Sequence, residues 1–173
     1  MGRAHPRSAG GRALRGLRRA MGAVLFYHLT RRPLEAVLPP ILERALAQGW
    51  RVVLRGGVAE RLDWLDERLW MGEGFLPHGR AGGGFDADQP VLLTTGAGLP
   101  NGAQALMAVD GAEITAEEAR AAARSWILFD GADEAALAHA RGQWRALAGE
   151  GVAAQYWSEE SGRWEKKAES GAG

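Results

Sequence analysis

Residues 125–149 read SWILFDGADEAALAHARGQWRALAG, and the two halves of this stretch decide the fold. The first five, SWILF, form a short apolar run without strict polar alternation, as in a strand covered on both faces. From Asp133 to residue 149 the apolar positions recur at helical spacing. A strand that feeds a helix of this length returns to its sheet by a crossover, which makes its neighbours parallel. The same alternation extends outward in both directions. Ala23–Leu29 (AVLFYHL) reads as a buried strand, and Leu34, Val37, Leu38, Ile41, Leu42, Ala45 and Leu46 keep the i, i+3, i+4, i+7 rhythm of a core-facing helix. Pro39 and Pro40 predict a kink or restart within it, and Gly49 predicts its end. Strands follow at 50–54 and 90–94, at Ala105–Val109 and at 152–157, the last expected at a sheet edge, with an amphipathic helix over 58–70. The expected architecture is α/β: a single three-layer α/β/α domain with a mainly parallel sheet, spanning residues 22–167.

Composition narrows the function classes. At 173 residues the chain is long enough to bury a core without staples, and with no cysteine it has neither disulfides nor thiol chemistry. No apolar run approaches the roughly 20 residues of a membrane span, so a reducing cytoplasm is the simplest setting. The formal charge of zero hides an asymmetry: residues 1–20 hold six arginines and no acid, while the remainder carries 15 basic against 21 acidic residues. Residues 1–21 have the composition of a nucleic-acid-binding arm, a transit peptide or an extension before a start at Met21, and little to bury, so they are expected to be disordered. The acidic remainder argues against tight non-specific nucleic-acid binding. Residues 168–173 read as a flexible tail.

Nucleotide, metal and acid–base signatures are weak. Arg55-Gly56-Gly57-Val58 follows a strand but lacks the third glycine of a dinucleotide fingerprint, and the only lysines, Lys166 and Lys167, exclude a phosphate-loop lysine. His5, His28, His78 and His139 are scattered and form no pair at ligand spacing, so neither cofactor nor metal is expected. One catalytic reading survives: a small α/β enzyme or nucleotide-binding protein using His28 and Asp130, both at the ends of parallel strands. The competing reading of that pair is a structural hydrogen bond.

Binding residues are more evident. Four of the seven tryptophans fall in the last fifty residues, which draws attention to the 133–149 helix. At about 100° per residue, Leu137, Arg141, Trp144 and Ala148 share one stripe with Arg145 beside it. A large ring between guanidinium groups suits an extended acidic, hydrophobic peptide, because arginine pairs carboxylates bidentately and the ring supplies contact area at low entropic cost. The alternative is that Trp144 is core and the arginines are its solvated rim. A second cluster, Trp70 with Phe75, Leu76, Pro77 and His78, sets two large aromatics and a proline around a loop, as at a protein interface or in a loop folded onto the core.

The ordered set Phe26-Tyr27-His28-Leu29, Gly49-Trp50-Arg51-Val52, Leu62…Asp66…Leu69-Trp70, Phe75-Leu76-Pro77-His78-Gly79 and Pro90-Val91 with Leu93 resembles the chi subunit of bacterial DNA polymerase III holoenzyme. Phe129-Asp130-Gly131, Ala140-Arg141, Trp144-Arg145, Gly151 and Tyr156-Trp157 continue the likeness over roughly residues 22–167. The resemblance implies a three-layer α/β fold without catalytic activity, acting in the clamp-loader assembly. It implies binding of the acidic, phenylalanine-ended C-terminal tail of single-stranded-DNA-binding protein by Phe129, Arg141, Trp144, Arg145 and Trp157. It also implies a psi subunit or a helicase-like protein at Trp70, Phe75, Leu76, Pro77 and His78, with DNA contacted only indirectly. The chain departs from the family at Leu137, where further positive charge is expected. Lys166 and Lys167 are the candidates to restore it.

Overall fold

The computed structural model describes residues 22–171. Its elements are β1 (Ala23–Leu29), α1 (Leu34–Ala47), β2 (Val52–Gly56), α2 (Ala59–Met71), β3 (Gly79–Arg80), β4 (Val91–Thr94), β5 (Ala105–Val109), α3 (Ala116–Ala121), β6 (Arg124–Asp130), α4 (Glu134–Gly149), β7 (Ala154–Ser158) and β8 (Glu165–Ser170). The strands form one sheet in the order β3-β4-β2-β5-β6-β1-β7-β8. Every neighbouring pair is parallel except β7 and β8.

Helices cover both faces of this sheet, as the continuous apolar runs require. On one face, Leu38 and Leu42 of α1 and Leu62 and Leu65 of α2 pack over Leu54, Leu93, Met107 and Trp126. On the other, Ala119 of α3 and Ala140 and Leu147 of α4 pack over Val24, Phe26, Val53, Leu106 and Ile127. The period of two is visible in β1, whose residues 24 and 26 serve the second core and 25 and 29 the first.

Three expectations are revised, and a fourth is not addressed. The arginine-rich extension, with residues 172–173, lies outside the described residues. Helix α1 runs unbroken through Pro39 and Pro40, because Val37, Leu38, Ile41 and Leu42, all buried, anchor it on both sides of the two missing N–H donors. Strand β7 is not an edge: β8 pairs with it and carries the sheet to Ser170, past the expected limit at 167. Helix α3 fills a segment that periodicity leaves blank. Its signal is local, since Thr115 and Glu118 form a capping box that satisfies the donors of so short a helix.

The two helices that leave the sheet and return within a few residues, α1 and α4, end alike. Gly49 (φ 78) lets Trp50 N–H reach the Ala45 carbonyl at 3.1 Å, and Gly151 (φ 77) lets Val152 N–H reach Leu147 at 3.0 Å. Each reversal aims the chain directly into the next strand.

Candidate functional site

Helix α4 starts where the Asp133 side chain accepts from the N–H groups of Ala135 and Ala136. It presents Ala140 and Leu147 to the sheet, Trp144 half-buried at its flank, and Arg141 and Arg145 to solvent. Among the described residues neither the Arg141 nor the Arg145 side chain takes part in a hydrogen bond or an ion pair, in contrast to Arg31, Arg32, Arg51, Arg55 and Arg80.

An aromatic floor lies beside these cations. The Trp144 ring meets Phe26 edge-on at 5.2 Å and Tyr156 at 6.3 Å. Phe129 lies 6.0 Å from Tyr156 and stacks on His28 at 5.3 Å. Strand register explains the grouping: Phe26 is opposite Tyr156 across β1 and β7, and His28 is opposite Phe129 across β1 and β6. Side chains opposite one another share a face, here the face that α4 covers. The Tyr156 hydroxyl lies 2.8 Å from His28 Nδ1. Burial raises the pKa of that phenol, and the nearby Arg141 guanidinium opposes the shift.

Of the five residues expected here, Phe129 and Trp144 pack in the core on the α4 side of the sheet, Arg141 lies near Tyr156, and Arg145 is exposed on the same helix. Trp157 faces the opposite side and packs with the α1–α2 core, because it follows Tyr156 by one residue on a strand. Tyr156 occupies the place expected of it, and parity with the buried Ala154 is the sequence signal that points there. Lys166 and Lys167 do not supply free charge near Leu137: each pairs with a glutamate of its own strand, Glu169 and Glu165, at 2.9 Å. Lys167 also holds the Glu165 carboxyl below the usual carboxylate range.

The His28–Asp130 pairing is not formed. Leu29, not His28, is opposite Asp130, so the two side chains leave the sheet on opposite faces. Asp130 instead accepts from Ala132 N–H at 2.9 Å. A cleft of about 740 Å³ does open at these strand ends, lined by Arg31, Arg32, Arg61, Asp110, Asp133 and His139 among others. Its cations are committed: Arg32 to Glu159, Arg61 to Asp110, and Arg31 to the Glu160 carbonyl.

At the far side of the molecule the second cluster divides. Trp70 and Phe75 are 52% and 79% exposed, joined by Met71 at 75%, whereas Leu76 and His78 are buried and Pro77 is half-buried. His78 supports the surface from beneath: its ring lies 4.1 Å from that of Trp70, with Nδ1 2.6 Å from the Leu76 carbonyl and Nε2 3.2 Å from Asp66 Oδ1.

The family model described as DNA polymerase III chi subunit, HolC, matches residues 21–155. This chain belongs to the chi-subunit family of DNA polymerase III. No curated protein matches it at a significant level. The chi-family match takes in every element from β1 through α4, and with them both guanidinium groups and the exposed Trp70 surface. Most of β7 and all of β8 lie beyond it. Membership makes the chain an accessory subunit of the replicative polymerase. Among the described residues no helix is long and apolar enough to cross a membrane.

Proposed function

We propose that this chi-family subunit is a non-catalytic adaptor of the cytoplasmic replisome that docks the acidic C-terminal tail of single-stranded-DNA-binding protein. One observation carries the reading: two exposed, uncommitted guanidinium groups flank a half-buried indole over a floor of Phe26, Phe129 and Tyr156. The arginines suit the aspartates and terminal carboxylate of such a tail, and the partly exposed Trp144 and Tyr156 rings, backed by buried Phe26 and Phe129, suit its final phenylalanine. The contact is small and its ligand flexible, so single-site affinity is modest and strength comes from avidity on a multi-subunit partner. Trp70, Met71 and Phe75 form the surface for a second clamp-loader subunit of psi type or a helicase-like protein.

Calorimetry with a synthetic tail peptide tests the first site. Arg141→Ala and Trp144→Ala each weaken binding by about 1–2 kcal/mol, as for truncated interface anchors, and leave the far-ultraviolet dichroism unchanged. Wild-type affinity in both variants rules this site out.

A further inference from the structure

The floor of the proposed peptide site contains a titratable pair that packing alone does not require. His28 sits at the end of β1 with its ring stacked on Phe129, and its Nδ1 meets the Tyr156 hydroxyl at 2.8 Å. The ring is fixed in place from behind. Gly131, tied to the Leu29 carbonyl at 2.9 Å, passes so close that a Cβ there would overlap the imidazole Nε2. Glycine at this turn is therefore a steric requirement of the histidine.

We propose that His28 is a positioning residue of the peptide site, and that its hydrogen bond to Tyr156 makes acidic-peptide recognition depend on the charge of the imidazole. The inference rests on the tail-binding reading. A neutral imidazole with an unprotonated Nδ1 accepts a hydrogen bond from the phenol, so the oxygen turns lone pairs toward the ligand. A protonated imidazole donates instead to the phenol oxygen, and the hydroxyl proton is released toward a ligand carboxylate. Protonation also adds a positive charge beneath the site. Both effects favour an anionic peptide, so affinity rises as the imidazole takes up a proton.

Two charged groups act on the Tyr156 phenol: Arg141 from α4 lowers its pKa and Glu160, from the turn between β7 and β8, raises it. From β6 the neighbours are Phe129 and Gly131, and the Asp130 carboxylate leaves on the other face. His139, also on α4, lines the strand-end cleft and provides a control.

Calorimetry at about pH 8 and about pH 5.5, a span in which the peptide carboxylates stay ionised, tests the proposal with a synthetic tail peptide. Wild-type affinity increases roughly threefold toward the lower pH, the size of a screened interaction with one charge. His28→Gln, which keeps a hydrogen-bonding partner for the phenol but no titrating charge, loses the pH dependence. Tyr156→Phe weakens binding at both pH values and flattens the profile, and His139→Gln behaves as wild type. A wild-type slope that persists in His28→Gln overturns the proposal, as does a flat wild-type profile. If the wild type does not bind the peptide at all, or Arg141→Ala binds as tightly as wild type, the tail-binding reading itself has failed. If Arg141→Ala weakens binding while the wild-type profile is flat, only the role of His28 is lost.

Discussion

Arg55 shows how this chain satisfies a buried charge from within. The residue is 5% exposed, and its guanidinium donates to the carbonyls of Gly96, Gly98 and Glu113 and to both carboxylate oxygens of Glu118. That hydrogen-bonded pairing lowers the Glu118 pKa to about 2 from an ordinary 4.5, against the opposing effect of burial. Because the folded value is the lower one, the stabilisation is fully present above pH 4.5 and is lost as pH falls toward 2. Urea titrations of wild type and Glu118→Gln should therefore diverge near neutral pH and converge on acidification across that window. Arg55→Met should cost about 3–5 kcal/mol, since it leaves a carboxylate without its cation in a mostly enclosed site. Arg141 and Arg145 are the same residue type with none of these partners, and sequence alone does not separate the two cases. Helical phase identified the Trp144 stripe, because spacing along one helix fixes which residues share a side. It said nothing of Tyr156 or His28, whose approach depends on two other strands.

At the scale of elements, α4 and β8 carry the testable consequences. The Gly151 reversal holds α4 in line with β7, and its φ of 77 is costly for any residue with a Cβ. Gly151→Ala should lower stability by about 1–2 kcal/mol in chemical denaturation and leave the denaturant slope unchanged. Strand β8 is held by more than its ladder. Trp164 stacks on Tyr27 at 4.6 Å, and the turn before it is gripped by the β1–α1 loop, where the Arg31 and Arg32 N–H groups donate to Glu159. Trp164→Ala should cost roughly 1–3 kcal/mol, the range for removing a large apolar side chain from partial burial, with thermal unfolding as the readout. Strand β8 escaped sequence reading for a physical reason: EKKAES is polar, because only one edge of the strand is paired and most of its side chains face water.

At the scale of the molecule, the two exposed surfaces lie on opposite faces of the sheet and near opposite ends. Helix α2, which carries Trp70, covers the face with Leu54 and Leu93, whereas Trp144 belongs to the other. Five steps across the sheet separate β4 from β7, on the order of 24 Å at the usual strand spacing. Substitutions at sites so far apart combine additively, so Trp70→Ala with Phe75→Ala should leave tail-peptide affinity within about 0.5 kcal/mol of wild type. Raising salt should weaken the Arg141 site and spare the apolar Trp70 site, which titrations at two ionic strengths would show.

The order of strands and helices, the parallel sheet and the helix bearing Arg141, Trp144 and Arg145 were determined by the sequence itself. Hydrophobic period and glycine placement act over a few residues and need no partner to be read. Which face each strand residue takes was decided only by the tertiary structure. Register shifts by single residues exchange every side chain between faces, and register is set by strands far apart in the chain. That is why Trp157 left the site and Tyr156 entered it. It is also why His28 found a phenol rather than the carboxylate one strand away.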